Sequence, residues 1–367
     1  MLVLPWRLLG IMKTGVFLLL LGAACSMASN SLYTASDSCK GRCNEKYNRK
    51  DVCHCNAKCE KYQNCCDDYH IHCGQDSKET NAASDEGFSR SEDAISQEEL
   101  QKISEQLYQS DSNKAAESDI TLNKQFLTSQ TSKKEDQSPE PLFSFVNEEK
   151  LFSKPTYASF IKLLDNYHKK VEKGEEFTAE QLKEQDRFLE EIMKTAVMQE
   201  LYRFLHNKNR YGTEAEFIAD LKEMWFGLYS RGKGEGSSSG FEHVFLGEVK
   251  EGKVSGFHNW ISFYLQEKKG VLNYLSHNYD GPWTSYPDVL GIQFSWDGTY
   301  KEVGTAFIGS SPEFEFGLYS LCYISRPGKV CHLKMGSHNL DIQTYTWDKT
   351  TYGNGKKYIA TAYAVSP

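Results

Sequence analysis

The chain has 367 residues, of which 39% are hydrophobic and 25% are charged, and its formal net charge is −8. This composition excludes a chain that is disordered throughout, and the length is enough for one large domain or two unequal ones. The negative charge also excludes a protein coated with basic residues, so any role in nucleic-acid chemistry must depend on a local site.

The first residues have the pattern of a secretory signal peptide. Arg7 and Lys13 supply positive charge, residues 16–24 form an apolar run, and Ser26-Met-Ala28 is a small-x-small cleavage sequence. The alternative is a membrane anchor, but the run is short for a bilayer span. We therefore predict a signal peptide over residues 1–28 and a mature protein that is secreted and not bound to a membrane.

The cysteines divide the rest of the chain. There are 11, and eight of them lie between Cys39 and Cys73. A segment of this length cannot bury an adequate apolar core. Crosslinks must therefore hold it together. Structural zinc is the alternative use of closely spaced thiols, but removal of Cys25 with the signal peptide leaves an even number, which favours disulfides. The spacing does not predict their connectivity.

The same segment resembles an extracellular module. It contains Cys39-Lys-Gly-Arg-Cys43, Cys53-His-Cys55 and Asn64-Cys-Cys-Asp-Asp-Tyr69, and with all eight cysteines it resembles a somatomedin B domain. The resemblance implies a module that binds a protein partner or acts as a spacer. An acidic segment with almost no large apolar residue follows it and is typical of a solvated linker. The predicted boundaries are 35–76 for the somatomedin B-like module, 77–91 for the linker and 92–367 for a large domain.

Three helix starts in the large domain carry capping boxes, in which a hydroxyl and a carboxylate or amide satisfy free backbone N–H groups. The boxes begin at Ser96, Thr178 and Thr213. Apolar residues follow each of them at intervals of three or four, as on a helix with one buried face. The N-terminal half of this domain is therefore predicted to be helical.

The C-terminal half has the pattern of β-structure. Runs rich in aromatic and β-branched residues are separated by proline and glycine. Cys322 and Cys331 flank the turn sequence Arg326-Pro-Gly-Lys329, and the spacing leaves open whether they pair. The predicted fold class is α+β, with a small disulfide-rich module followed by a domain that is helical in its first half and β-rich in its second. The predicted strands are residues 289–296, 306–308, 318–324 and 358–365.

Two histidines follow a glycine–serine stretch at residues 231–240, which we interpret as a flexible loop beside a site. His243 and His258 are 15 residues apart, and a hairpin-like turn between them could bring the imidazoles together. One neutral and one protonated imidazole are the general base and general acid that cleavage of RNA through its own 2′-hydroxyl requires. On spacing alone two alternatives stay open, which are a structural role for both histidines and a zinc site.

Several separated motifs resemble the EndoU endoribonuclease family, especially its vertebrate members, from about Glu92 to the C-terminus. The resemblance implies an EndoU-type domain that cleaves single-stranded RNA at uridines and leaves 2′,3′-cyclic phosphate ends. It also implies a divalent cation, expected to be Mn²⁺ with calcium as the alternative, although no metal-binding motif is visible. In chain order the motifs are Glu242-His243-x4-Glu248, Gly256-Phe-His258-Asn-Trp260, Tyr300-Lys301-x2-Gly304, Gly309-Ser-Ser-Pro-Glu-Phe-Glu315 and Tyr358-Ile-Ala-Thr361-Ala-Tyr363.

The resemblance implies a catalytic set of His243, His258 and Lys301. We expect His258 to act as the base, His243 to act as the acid, and the Lys301 ammonium to neutralise the phosphate oxygens. Without the resemblance, Lys301 would be interpreted as a solvated lysine on a strand.

Four further residues are implied as supporting or substrate-binding residues. Glu242 and Glu248 flank His243, and three roles stay open for them: orienting the imidazole, holding its tautomer, or binding the metal. Thr361 and Tyr363 are expected to read the uracil edge and to stack on the base. The chain from residue 244 onward has as many basic as acidic residues, which suits local binding of a single strand.

A rival hypothesis is a secreted RNA- or protein-binding protein that uses the nuclease fold and the cysteine-rich module without turnover. The complete histidine–lysine set favours the enzyme. We expect the partners to be uridine-containing single-stranded RNA and a protein that binds the cysteine-rich module, and we expect the protein to be a monomer.

Overall fold

The computed structural model describes residues 38–66, 68–73 and 95–366. These residues form two compact units, which divide after Ser77. The predicted signal peptide and the predicted acidic linker lie outside the described residues, and their boundaries stay predictions. No helix in the described part of the chain is long and apolar enough to cross a membrane.

Disulfides hold the small unit together, as predicted. It contains two short helices, α1 (Cys59–Tyr62) and α2 (Tyr69–Cys73). Cys39, Cys55 and Cys59 are buried at its centre, so sulfur replaces the apolar core that so short a segment cannot build. The four disulfides are Cys39–Cys55, Cys43–Cys73, Cys53–Cys66 and Cys59–Cys65.

Three helices of the large unit begin where the capping boxes predict. The boxes at Ser96, Thr178 and Thr213 are all formed, and each has reciprocal hydrogen bonds between the N-cap and the residue three positions later. The helices are α3 (Gln97–Ser110), α4 (Glu148–Phe152), α5 (Pro155–Leu163), α6 (Ala179–Met193), α7 (Ala196–Asn207), α8 (Glu214–Phe226), α9 (Trp260–Lys268) and α10 (Pro312–Ser325).

The strands form antiparallel sheets, most of them in the C-terminal half. They are β1 (Ile120–Leu122), β2 (Phe143–Val146), β3 (Glu248–Lys250), β4 (Lys253–Ser255), β5 (Leu272–Asp280), β6 (Asp288–Trp296), β7 (Thr299–Ile308), β8 (Val330–Met335), β9 (His338–Tyr352) and β10 (Lys356–Ala364). Two sheets have three strands, in the orders β5-β6-β7 and β10-β9-β8, and β1-β2 and β3-β4 are two-stranded. The α+β class and three of the four predicted strands are confirmed.

The fourth predicted strand, residues 318–324, is wrong because these residues lie in α10. Ser311 caps this helix by accepting the Phe314 N–H, and Pro312 occupies its first turn. The helix is buried along nearly its whole length, so its apolar residues show no one-sided helical period and resemble a buried strand. A disulfide joins Cys322 in α10 to Cys331 in β8.

Helix α10 lies in the core of the large unit and is packed on several sides. The Trp225 indole of α8 donates to Ser320 Oγ at 2.9 Å, and Phe188 of α6 packs edge-on against Phe316 at 5.4 Å. On the sheet side, Phe307 of β7 packs against Phe314. The same core therefore supports the helical half and the strands that carry the predicted site.

Candidate active site

Five of the seven predicted site residues line one open cleft. It has a volume of about 480 Å³, and His243, His258, Lys301, Thr361 and Tyr363 are among its lining residues. They come from elements distant in the chain, namely a π-helical turn over Glu242–Leu246, the segment after β4, strand β7 and strand β10. Glu242 and Glu248 do not line the cleft, and both side chains are buried.

The β3–β4 hairpin brings the two histidines together, as the spacing suggested. Backbone hydrogen bonds join Phe257 N–H to the His243 carbonyl at 2.9 Å and His258 N–H to the Val244 carbonyl at 2.7 Å. Gly256, at φ +68°, makes this approach possible, because a Cβ at this position would lie 1.8 Å from the His243 carbonyl oxygen.

His243 is oriented by a buried carboxylate. Its Nδ1 donates to Glu248 Oε2 at 2.7 Å, which leaves Nε2 for the cleft. Burial, reinforced by the nearby Arg231 charge, lowers the pKa of His243 to about 4, while the Glu248 charge opposes that shift. The unliganded site therefore holds a neutral imidazole at pH 7, next to a carboxylate that can stabilise its protonated form.

His258 has a neutral partner instead. Its Nδ1 donates to the Thr305 carbonyl at 2.8 Å, and its ring stacks on Tyr363 with 5.1 Å between centroids. Burial and the charge of Lys301 hold the pKa of His258 well below its usual range. This histidine is therefore a neutral imidazole with Nε2 available to accept a proton.

Lys301 is the cation of the cleft. It lies on β7 and has no ion pair with any other described residue. Burial lowers its pKa to about 8, so its ammonium stays charged near neutral pH but titrates within an accessible range.

We expect Lys301 to cause a break near pH 8 in the plot of log(kcat/KM) against pH. Above this break the slope should be more negative by one unit. The cause is loss of the ammonium proton, which removes the charge that we expect to face the phosphate. Rates from pH 5 to 10 on a short uridine-containing oligonucleotide test this. Lys301→Arg is expected to be slower but to lack this break, since a guanidinium stays protonated throughout. A break that persists in Lys301→Arg would assign the titration to another group.

Glu242 is buried behind the site and lies near two other carboxylates, those of Glu248 and Glu175. Neither of its carboxyl oxygens has a hydrogen-bond partner among the described residues. Burial, with repulsion from Glu248 and Glu175, raises its pKa to about 10. It is therefore protonated at pH 7. Glu248, not Glu242, orients the His243 ring directly.

Replacing Glu242 by glutamine is expected to reduce the pH dependence of stability. The folded state keeps the proton up to about pH 10, whereas the unfolded state loses it near 4.5, so stability falls as pH rises between these values. Between pH 6 and pH 8 the wild type should lose roughly 2–3 kcal/mol more than Glu242→Gln. Urea unfolding at both pH values measures this, and equal losses in the two proteins would contradict it.

Thr361 and Tyr363 lie on β10 beside an aromatic residue that the sequence did not reveal. Tyr345 of β9 is paired with Thr361, lines the cleft and is half exposed. Thr361 Oγ1 has no hydrogen-bond partner among the described residues. This wall of the cleft thus carries two aromatic rings that are suitable for stacking on a base, and next to them the Thr361 hydroxyl, whose oxygen is buried.

Arg231 is the second residue that sequence reasoning missed. Its guanidinium lies 3.2 Å from Glu248 Oε2 and donates to Tyr229 Oη at 2.6 Å and to the Ala360 carbonyl at 2.5 Å. It therefore joins the carboxylate behind His243 to the strand that carries Thr361. The available signal was an arginine at the start of the glycine–serine stretch.

The glycine–serine stretch itself is packed, which corrects its interpretation as a flexible loop. Ser237, Ser238 and Ser239 are fully buried. A Cβ at Gly232 or Gly234 would lie less than 3 Å from the backbone of residues 171–174. These glycines permit close backbone contact, and the stretch leads directly into the turn that carries His243.

Comparison with known proteins places both units in families. The family model for Endoribonuclease XendoU matches residues 99–364, and the model for the Somatomedin B domain matches residues 37–76. The chain is 64% identical to the uridylate-specific endoribonuclease of Mus musculus, over 92% of this chain and 80% of that protein. It is 62% identical to the Homo sapiens protein of the same name, over 93% and 81%.

A solved structure has a similar fold. It is that of XendoU, described as a splicing-independent snoRNA-processing endoribonuclease, with 36% identity and a TM-score of 0.59. The match covers 73% of this chain and 96% of that one.

Proposed function

This chain belongs to the XendoU endoribonuclease family, and we propose that it cleaves single-stranded RNA at uridylates to leave 2′,3′-cyclic phosphate ends. The observation that carries the proposal is the convergence of two neutral imidazoles and one lysine in a single open cleft. Both imidazoles have Nδ1 committed to protein acceptors and Nε2 left for substrate.

In the proposed reaction the 2′-oxygen attacks phosphorus and the bond from phosphorus to the 5′-oxygen breaks. His258 Nε2 takes the 2′-hydroxyl proton, since its partner is a neutral carbonyl and the nearby Lys301 charge disfavours an imidazolium. His243 Nε2 gives a proton to the 5′-oxygen. The charge of bound phosphate raises the pKa of His243, and Glu248 stabilises the resulting imidazolium through Nδ1.

The remaining groups hold the substrate. The Lys301 ammonium faces the non-bridging oxygens as their negative charge grows, a preorganised electrostatic contribution. We assign recognition of the uracil edge to the Thr361 hydroxyl and stacking to Tyr363, with Tyr345 available to an adjacent base.

A deoxyribonucleotide strand with one ribouridine tests this proposal. We expect a single cut after the ribouridine with a 2′,3′-cyclic phosphate end, identified by mass spectrometry. A matched strand with one ribocytidine should be cut far more slowly. Retention of both strands without cleavage, in buffer with and without manganese, would overturn the proposal and favour the binding-protein hypothesis.

We propose that the divalent cation, Mn²⁺ or calcium, acts away from the cleft. The residues lining the cleft do not suit it, because they include Lys301 and two imidazoles but no carboxylate. Asp111 and Glu313 suit it better. Both are buried, and Glu313 Oε2 has no hydrogen-bond partner among the described residues. Burial and the charge of Glu313 raise the pKa of Asp111 to about 7.

At that position the cation would add to the positive charge of Lys114 and Lys154, which already interact with these buried carboxylates. No group of three His, Cys, Asp or Glu ligands converges in the described part of the large unit, so water or backbone oxygens would complete its coordination. We expect Mn²⁺ to raise the melting temperature of the wild type and of Glu302→Gln, an exposed control, but not of Glu313→Gln. An equal rise in all three would place the cation elsewhere.

We also propose that the protein is secreted. Its support is that all ten cysteines in the described residues form disulfides, which persist in oxidising compartments. Expression in animal cells should yield protein in the medium whose N-terminus lies near Ser29. Retention in the cell with an intact N-terminus would contradict the proposal.

For the somatomedin B-like module we propose a protein partner. Its support is a set of exposed large side chains, with Val52 79% and Tyr47 and Tyr62 about two-thirds accessible. Full-length protein immobilised on a surface should capture an extracellular protein that Tyr62→Ala captures less well. His258→Ala, a variant of the proposed catalytic site, should capture as much of this protein as the wild type does.

A further inference from the structure

A second cavity lies on the opposite face of the β9–β10 hairpin from the catalytic cleft. Its volume is about 430 Å³, within the range of roughly 300–1,000 Å³ for small-ligand sites. Thr346 lines this cavity, whereas its neighbour Tyr345 lines the cleft. Successive residues of a strand face opposite sides, so one hairpin forms a wall of both.

Three tyrosines form much of the wall of this cavity: Tyr211, Tyr323 and Tyr352. The Tyr211 hydroxyl donates to Asp220 Oδ2 at 2.5 Å, and the Tyr323 hydroxyl donates to the Lys357 carbonyl at 2.6 Å. Tyr211 and Tyr323 are mostly buried, so a ligand would meet only the part of these two rings that lines the cavity, together with the half-buried Tyr352. Aromatic rings at such a site suit a planar, π-rich group.

The cavity also carries more positive than negative charge. Its charged lining residues are Arg210, Lys356, Lys357 and Asp220. Lys356 Nζ forms an ion pair with Asp220 Oδ2 at 2.6 Å. Arg210 is exposed, and its guanidinium has no hydrogen bond or ion pair with any other described residue. Lys357 Nζ donates to the Asp348 carbonyl at 2.7 Å. Arg210 and Lys357 are therefore two cations without a carboxylate partner, as an anionic ligand would require.

We propose that this cavity binds a nucleotide, with its base against the tyrosines and its phosphate against Arg210 and Lys357. A cavity lined in part by aromatic rings, with two cations that have no carboxylate partner, matches the two halves of a nucleotide. The nucleotide is either a distal one of an RNA strand or a free mononucleotide, which present the same chemistry. Since the hairpin carries Tyr345 and Thr361 on its other face, occupancy would also steady one wall of the cleft.

Counting bound uridine monophosphate by equilibrium dialysis tests the proposal. The wild type is expected to bind two equivalents. The control variant Arg187→Gln, which replaces an exposed arginine on α6, should do the same. The double variant Arg210→Gln with Lys357→Gln, the charge variant, should bind one equivalent, because binding at the second site weakens at least tenfold. Tyr363→Ala, which removes stacking in the cleft, should also bind one. As a second cavity variant, Thr346→Phe fills the space directly and should behave like the charge variant.

Uncleavable deoxyuridine strands separate the two sources. If the ligand is a distal nucleotide, the charge variant should bind a 12-mer at least tenfold more weakly than the wild type and a dimer equally well. If the ligand is a free nucleotide, 12-mer binding should be unchanged while the second equivalent of monophosphate is lost. Binding of monophosphate and of both strands that is unchanged in the charge and filling variants would overturn the proposal.

This test is independent of the proposed cleavage. None of the substituted cavity residues lines the catalytic cleft, so the cavity variants should cut a uridine-containing dinucleotide at the wild-type rate. A wild type that cuts nothing would contradict the proposed function and leave the binding counts interpretable.

Discussion

Replacing either His243 or His258 by alanine is expected to slow cleavage at uridylates by about 10³-fold. Each substitution removes one proton-transfer group, and such groups contribute roughly 10²–10⁴-fold. The measurement is single-turnover cleavage of a strand with one ribouridine, with the melting temperature of each variant recorded as a check on folding. A loss smaller than tenfold in either folded variant would contradict the acid–base assignment.

The exposed histidine at position 332 provides a matched control. His332 of β8 lies on the surface and is hydrogen-bonded to Asp341 at 2.8 Å. It is far along the chain from the site and does not line the cleft. His332→Ala should therefore keep the wild-type rate, which separates loss of a catalytic imidazole from loss of any imidazole.

A modified substrate distinguishes the two histidines. When sulfur replaces the 5′-bridging oxygen, the leaving group departs without needing a proton. His243→Ala should then recover most of the lost rate, because its missing acid is no longer required. His258→Ala should stay slow, since the 2′-hydroxyl must still lose its proton. If His258→Ala recovered its cleavage rate instead, His258 would be the acid and His243 the base.

The parts of this site that were predicted from sequence are those carried by local pattern. Capping boxes at Ser96, Thr178 and Thr213 gave correct helix starts, because their hydrogen bonds join residues only three apart. The turn between His243 and His258 was also predictable. It is a two-residue hairpin turn in which Glu251 and Gly252 both have positive φ.

The parts that were missed depend on contacts between distant segments. Residues 318–324 were assigned to a strand, because a helix buried on all sides has no periodic pattern to reveal it. Arg231 acts through Glu248 and through the Ala360 carbonyl, 129 residues away. Pattern within one segment cannot indicate such a contact. The Tyr345–Thr361 pair likewise depends on a strand register that includes a bulge.

Replacing Arg231 by glutamine is expected to cost about 3 kcal/mol of unfolding free energy and about 100-fold in kcat/KM. Glu248 is fully buried and Arg231 nearly so, and removing one partner of such a pair leaves a charge without compensation. The substitution also removes the cationic donor to the Ala360 carbonyl, next to Thr361. Urea unfolding and cleavage rates measure the two losses, with the exposed Arg187→Gln as the control.

The pKa of His243 separates this positioning role from a merely structural one. The Arg231 charge lowers that pKa and the Glu248 charge raises it. Arg231→Gln should therefore move the pKa of His243 upward, whereas Glu248→Gln should move it further downward, although both variants lose stability and activity. Proton NMR titration of the His243 ring measures the two shifts. Shifts in the same direction would mean that Arg231 supports the fold but does not set the protonation of the proposed acid.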